Sequence, residues 1–314
     1  MSDGFRNITR KQFLQMSLGA AGAGAAMSFG FPGMAAAQSA QRTRPIPKSG
    51  EALPTVGLGT AQSFGYAGTE AEFQARVAVI RTLIEGGGKV IDTSPTYGSA
   101  EAVVGRALAQ LGMRKQSFIA TKISTFGEQD GIDQHRGSVR DLRTPNFDLL
   151  QVHNLKDTDL HLKTIRRLRE QGWVRYVGIT HFRDGAFDRL AKVMRSEPLD
   201  FVQLNYSIIS RKAEELLLPL ARDKGTATII NVPFARGRLF DSVRGRALPP
   251  WAVEFDAKSW GQFFLKYLLA HPGVTVVIPG TSKARHMRDN LGAGRGALPN
   301  AGHLKRMRQL VEGL

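Results

Sequence analysis

Ser117-Phe118-Ile119-Ala120-Thr121, Asp148-Leu149-Leu150-Gln151-Val152 and Tyr176-Val177-Gly178-Ile179-Thr180 are short, apolar, β-branched runs. Two polar stretches of helical period, Gln129 to Leu142 and Thr158 to Gln171, lie between them. Runs of this length read as strands and the stretches between them as crossover helices, so the segment predicts consecutive βα units on a parallel sheet. Working outward, the same pattern gives strands at Val56 to Thr60 and Lys89 to Thr93 before it, and at Phe201 to Leu204, Thr228 to Val232 and Thr275 to Ile278 after it. Helical stretches fall at Glu70 to Glu85, Ala100 to Leu111, Gly185 to Arg195, Ala213 to Asp223, Ala257 to Leu269 and Lys283 to Leu291, with a tail helix at Gly302 to Glu312. Eight such units without an interrupting linker predict an α/β fold closed into a (β/α)8 TIM barrel, a single domain over residues 55–298, followed by the tail helix in 299–314. An open dinucleotide-binding sheet needs Gly-x-Gly-x-x-Gly after its first strand. Gly57-Leu58-Gly59-Thr60 is too short for that, and Gly86-Gly87-Gly88 precedes a strand. The stretch Pro233 to Phe255 reads as one large loop over the active face.

A chain of 314 residues with 42% hydrophobic and 22% charged side chains has the make-up of an ordinary globular protein. The formal net charge of +16 raises nucleic acid, anionic lipid or a phosphorylated ligand as partners. The basic residues are scattered through helical segments without a run of five and without interleaved aromatics, so a solvated basic surface is expected and a nucleic-acid partner is not. The absence of cysteine removes disulfides, thiolate chemistry and Cys-ligated metal.

Residues 1–37 differ from the rest. Arg6, Arg10 and Lys11 precede the Gly/Ala-rich apolar stretch Met16 to Met34, and Ala35-Ala36-Ala37-Gln38 follows. That order is the layout of an export signal peptide with a small-residue cleavage site. Thr9-Arg10-Lys11-Gln12-Phe13-Leu14 is similar to the twin-arginine consensus, with Lys11 in place of the second arginine. The expectation is a periplasmic or exported protein, cleaved near Ala37, with the twin-arginine export machinery as a partner and no stable membrane insertion after processing. Residues 38–54 read as a linker.

In a barrel, side chains at the C-terminal ends of strands converge on one pocket. Here those ends carry Asp92, with Tyr97 just beyond, then Lys122, then His153. Taken singly, each has a structural explanation: a turn cap, a packed aromatic, a solvated lysine, a core imidazole. Arriving together, they suit reduction of a carbonyl, which needs a proton donor and stabilisation of charge growing on oxygen. Tyr97 is the expected donor, Lys122 would lower its pKa, Asp92 would hold Lys122, and His153 would orient the carbonyl. No paired-histidine or carboxylate cluster at the strand ends suggests a metal.

Ile91-Asp92-Thr93-Ser94-Pro95-Thr96-Tyr97-Gly98, with Glu101 and Gly105 after it, resembles the aldo-keto reductase signature, and the order Asp, Tyr, Lys, His is similar to that family's catalytic order. The resemblance runs from about Val56 to Gly292. It implies an NADP(H)-dependent reductase, with NAD(H) as the alternative cofactor and a small-molecule aldehyde, ketone or sugar carbonyl as substrate. It further implies that Thr180, His181 and Gln203 hold the nicotinamide carboxamide and that Ile278 to Lys283, continuing to Asp289 and Asn290, grips the adenosine end. Pro233 is assigned to the cofactor as well. Backbone N–H groups after Gly280-Thr281-Ser282, with Lys283 and Arg285, would suit a 2′-phosphate. His181 stands where the family usually has asparagine, and Asn231 where many members place an aromatic. A cofactor-binding sensor or accessory barrel with little turnover is the competing reading.

Overall fold

The computed structural model describes residues 40–65 and 68–314, so the export segment assigned to residues 1–37 lies outside the described residues. The stretch read as a linker is instead a hairpin, in which β1 (Thr43–Pro45) pairs antiparallel with β2 (Ala52–Pro54). Three-residue strands are too short to show a period of two, and Pro45, Pro47 and Gly50 mask what remains of the signal. Arg44 ties the hairpin down by donating to the carbonyls of Leu269 (2.6 Å) and His271 (2.7 Å).

The barrel strands follow in chain order: β3 (Leu58–Gly59), β4 (Val90–Asp92), β5 (Phe118–Ile123), β6 (Phe147–His153), β7 (Val174–His181), β8 (Phe201–Asn205), β9 (Ala227–Asn231) and β10 (Val276–Val277). Each pairs in parallel with its neighbour in sequence. Parallel bridges from Val56 to Val277 and from Gly59 to Gly280 close the sheet. The expected (β/α)8 barrel is therefore the observed fold.

Alternation decides what fills the barrel. Phe118, Leu149, Tyr176 and Phe201 point inward near the strand starts, and Ile46 and Leu53 of the hairpin cover them from below. Further along the same inward rows stand Asp92, Lys122, Gln151 with His153, Thr180, Gln203 and Asn231. Gly178 makes room for this layer: a Cβ there would lie 3.1 Å from Gln151 and 3.2 Å from Leu149.

Helices α1 (Glu70–Glu85) and α2 (Ala100–Leu111) have the bounds the periodicity predicts. Thr69 and Glu72 form a reciprocal capping box at the start of α1. The remaining crossover helices are α3 (Glu128–Asp141), α4 (Thr158–Glu170) and α5 (Phe187–Ser196). The single helix expected over Ala213 to Asp223 is two, α6 (Lys212–Glu215) and α7 (Leu217–Asp223), because Pro219 has no N–H for the carbonyl of Glu215. Pro233 to Phe255 is not a plain loop: it carries α8 (Arg238–Ser242) and 3₁₀ turns at Ala235–Gly237 and Pro250–Phe255. Then come α9 (Trp260–Leu269), α10 (Ala284–Gly292) and the tail helix α11 (Ala301–Glu312), which buries Met307 and Val311. Among the described residues no helix is long and apolar enough to cross a membrane.

Candidate active site

The parallel register brings the ends of β4, β5 and β6 side by side, so the residues they carry meet. Lys122 Nζ donates to both carboxylate oxygens of Asp92 at 2.8 Å and to the Thr93 carbonyl at 2.6 Å. Both side chains of this ion pair are almost wholly buried, and the carbonyl completes the ammonium's hydrogen bonding. The same ammonium stands 5.0 Å from the centroid of the Tyr97 ring. His153 meets that ring edge-on at 5.9 Å, and its Nδ1 lies 3.3 Å from Ser94 Oγ. Asp92, Tyr97, Lys122 and His153 are thus one cluster.

Two supporting glutamines complete the layer. Gln203 Nε2 donates to Asp92 Oδ1 at 2.7 Å while its Oε1 accepts from the Thr180 hydroxyl at 2.8 Å. Gln151 Nε2 approaches the same carboxylate oxygen at 3.4 Å. Gln151 was missed in the sequence, although it lies two residues before His153 and alternation alone puts it inside the barrel. Glu101 is a second residue whose position the signature did not explain. It is buried on α2, where its carboxylate accepts from Thr121 Oγ1 (2.5 Å) and Ser138 Oγ (3.0 Å). It therefore braces β5 from outside at the residue next to Lys122. Burial pushes its pKa up to about 7, against the pull of those two hydroxyl donors.

The electrostatics of the cluster set burial against the expected pull of Lys122 on Tyr97. Burial raises the Tyr97 phenol above its ordinary value, and the opposing pull of Lys122 is smaller. Burial works to lower Lys122, but Asp92 and then the Tyr97 oxygen outweigh it, so the ammonium is held more firmly than in water. His153 is held down at about 3, first by burial and then by Lys122, Lys156 and His181. It is a neutral imidazole across the physiological range.

A cavity of about 810 Å³ opens over the cluster. Tyr97, His153, Thr180, Gln203, Pro233, Gly280, Thr281, Ser282 and Lys283 line it, so the expected carbonyl end and phosphate end share one space. Lys122 lies beneath its floor. His181, Arg285, Asp289 and Asn290 are not part of its lining. Asp289 accepts from Ser259 Oγ (2.7 Å) and Gln262 Nε2 (2.8 Å), tying α10 to the start of α9. His181 stacks on Phe182, and its Nδ1 accepts from the Arg183 N–H at 3.1 Å. Asn231 lines the cavity and its Oδ1 is buried without a hydrogen-bond partner among the described residues. Phe182 and, from the loop read as lying over the active face, Phe234 and Phe240 supply apolar wall.

A sequence profile described as the Aldo/keto reductase family matches residues 55–309. Aldo-keto reductase YhdN of Bacillus subtilis (strain 168) is 29% identical over 178 residues, 52% of this chain and 53% of that protein. The chain thus spans about half the length of that relative. Methylglyoxal reductase YeaE of Escherichia coli (strain K12) is 29% identical over 227 residues, 69% of this chain and 78% of that protein. Among solved structures, an aldo-keto reductase from Klebsiella pneumoniae in complex with NADPH is similar with a TM-score of 0.72 at 24% identity, covering 86% of this chain and 95% of the other. The glycerol dehydrogenase AKR11B4 from Gluconobacter oxydans gives 0.69 at 22%, covering 86% and 94%. At these identities the structural likeness speaks for the fold.

Proposed function

The chain belongs to the aldo/keto reductase family, and from that membership we propose that it reduces an aldehyde, ketone or sugar carbonyl at the expense of NADPH, with Tyr97 as the proton donor. The observation that carries this is the convergence of Tyr97 and His153 over the buried Lys122 to Asp92 pair, at one end of the 810 Å³ cavity. The cavity fits the cofactor. Its far end offers the hydroxyls of Thr281 and Ser282 and the Lys283 ammonium before the start of α10, which suits phosphate. Its middle offers Thr180, Gln203 and the unpartnered Asn231 Oδ1 to a carboxamide. NADPH, when bound, supplies the hydride. The relative named a methylglyoxal reductase and the similar structure with NADPH support this assignment.

The chain's own residues then have distinct tasks. Tyr97 gives its phenolic proton to the carbonyl oxygen, and Lys122 stabilises the phenolate that remains. Asp92, fixed by Gln203, keeps Lys122 charged and aimed. His153 is neutral and its Nδ1 is paired with Ser94 Oγ; in the tautomer with the hydrogen on Nε2, that nitrogen donates to the same carbonyl oxygen and fixes its orientation. The raised phenol is a poor acid alone; the alkoxide forming on the substrate oxygen is a stronger base than phenolate, and the fixed ammonium stabilises the phenolate left behind, so transfer runs downhill.

The test is consumption of NADPH by the purified protein across a panel of carbonyl compounds. Tyr97→Phe is expected to lower turnover by at least ~100-fold while NADPH still quenches protein fluorescence as in the parent. Turnover at the parental rate in that variant would refute the assignment, and cofactor binding without turnover in the parent would favour a sensor role. We also propose export with removal of residues 1–37, which the layout of Arg10, Lys11 and the Gly/Ala-rich stretch supports. Finding the unprocessed chain in the cytoplasm of the native host would count against it.

A further inference from the structure

The turn that leads from Asp92 to Tyr97 sets one more polar group against the cluster. Ser94 is wholly buried, and three polar groups surround its hydroxyl. The Thr96 N–H donates to Oγ at 3.3 Å, Thr96 Oγ1 lies 3.0 Å away, and His153 Nδ1 lies at 3.3 Å. The buried ion pair makes no use of it: Lys122 donates to Asp92 and the Thr93 carbonyl, and Asp92 accepts from Lys122, Gln203 and Gln151. Thr96 lines the cavity and is exposed there. His153 Nδ1, in contrast, has Ser94 as its one hydrogen-bond partner among the described residues.

A hydroxyl has one hydrogen to give and two lone pairs with which to accept. The Thr96 N–H can only donate, so it occupies one lone pair. Thr96 Oγ1 and His153 Nδ1 must then divide the hydrogen and the other lone pair between them. Two settings satisfy that count. In the first, Thr96 Oγ1 donates to Ser94, Ser94 donates to Nδ1, and the imidazole hydrogen sits on Nε2. In the second, Nδ1 carries the hydrogen and donates to Ser94, Ser94 donates to Thr96 Oγ1, and Nε2 keeps a bare lone pair. The imidazole is neutral and holds one hydrogen, so the settings exclude each other. His153 lines the cavity, and with Nδ1 turned to Ser94 the nitrogen left for it is Nε2. A carbonyl oxygen only accepts, so the second setting would bring lone pair against lone pair at the reacting atom.

We propose that Ser94 is a positioning residue for the reduction: its hydroxyl, anchored by Thr96, donates to His153 Nδ1 and holds the ring hydrogen on Nε2, where the carbonyl oxygen meets it. This rests on the reductase reading and adds the residue that selects the tautomer. Ser94 is not part of the cavity lining, so it acts through His153 and not on the substrate. The Tyr97 N–H donates to the Ser94 carbonyl at 3.0 Å, so one turn holds both the proton donor and the partner of the orienting imidazole.

The experiment reads the ring directly and through the rate. In protein carrying isotope-labelled histidine and saturated with NADP⁺, the His153 signals are identified by their loss in His153→Gln. Long-range proton–nitrogen correlation of the parent is expected to show Nδ1 bare and Nε2 protonated. In Ser94→Ala the Nδ1 signal should move, because its donor is gone. A protonated Nδ1 in the parent, or an unchanged His153 spectrum in Ser94→Ala, overturns the proposal. With NADPH and 4-nitrobenzaldehyde, Ser94→Ala should lower kcat/KM by about three- to tenfold, the effect of one buried neutral hydrogen bond. The NADPH dissociation constant, read by fluorescence, should stay within about twofold. Thr96→Val, which keeps the N–H and removes only the anchoring hydroxyl, should cost less than Ser94→Ala. The loss in Ser94→Ala should vanish when it is made in a His153→Gln background, because the serine acts through that ring. An equal loss with and without His153 would make Ser94 a packing residue of the turn and overturn its role. Failure of the parent to reduce the aldehyde would sink the reductase reading, while the correlation spectra would still decide whether Ser94 sets the tautomer.

Discussion

The two rims of the barrel meet the same geometric demand with different residues. Where the chain must turn left-handed below the barrel, after helices α1, α2, α4 and α7, the residue is Gly87, Gly112, Gly172 or Gly225, and only after α3 is it a residue with a Cβ, Arg143. Above it, glycine takes some of the left-handed positions, at Gly98, Gly127 and Gly237, but Gln62, Asn154, Leu155, Asp157, Val232, Ala235 and Arg236 take the others. Glycine takes that conformation without steric penalty, whereas each of the others carries a Cβ against it. The lower rim is built for stability, with the aromatic rings of Phe118, Tyr176 and Phe201 packed against one another over the hairpin. The upper rim accepts strain and buried charge where side chains must be aimed into the cavity, and the lower half holds the barrel together while it does so.

The sharpest test of that division removes charge from the top. Lys122→Met leaves the Asp92 carboxylate buried with only amide donors from Gln203 and Gln151. Breaking a buried pair this way is expected to destabilise by about 3–5 kcal/mol and to lower turnover by at least ~100-fold. Denaturant unfolding and NADPH consumption read the two effects. Its counterpart below is Phe201→Ala, expected to destabilise by about 3–5 kcal/mol through the cavity it leaves. Here KM of the folded fraction should not move. A change in KM for Phe201→Ala with parental stability would show that the two halves are not separable.

Glu101 sits between the halves and makes the comparison dependent on pH. Its carboxyl has a folded pKa of about 7 against an ordinary value of 4.5. A raised folded pKa means that the group favours the fold fully below the unfolded value, and that this contribution is lost as pH rises from 4.5 through 7. Glu101→Gln removes that dependence. Relative to the parent, the variant should therefore gain stability between pH 4.5 and 8, by up to about 3 kcal/mol. Chemical denaturation at several pH values measures it, and a parallel dependence in parent and variant would place the titration on another group.

What could be read from the chain follows the same line. The long inward rows of β5 to β8 announced the barrel, and Asp92, Lys122 and His153 stood out because titratable groups at strand ends have few structural reasons to be there. The hairpin at Thr43–Pro45 and Ala52–Pro54 escaped because its strands are too short to show alternation. The break between α6 and α7 was written in Pro219 and overlooked within an apolar run. Asp289 was assigned by motif, yet its carboxylate is engaged by Ser259 and Gln262, a pairing that depends on helix packing across thirty residues. Arg236 could be placed on a loop, but its stacking on Phe182 depends on left-handed backbone that Val232 and Ala235 do not advertise.

The smallest expected effect bears most directly on the two rims. Gly172 has φ of 79° and a Cβ added there would meet nothing within 4 Å, so Gly172→Ala isolates the backbone penalty. It should cost about 1–2 kcal/mol. Val232→Gly asks the reverse question at the top. Relief of left-handed strain there is worth about 1–2 kcal/mol, but the greater freedom of glycine in the unfolded chain takes back about 0.5–1 kcal/mol, and the side chain's contacts are lost too. The net change should be under about 1 kcal/mol. Thermal unfolding of the two variants beside the parent decides the matter. A neutral Gly172→Ala would remove the contrast between the rims, because left-handed backbone would then cost this fold nothing at either end. A gain above 2 kcal/mol in Val232→Gly would sharpen it, because the cavity loop would then hold more strain than its backbone angles alone require.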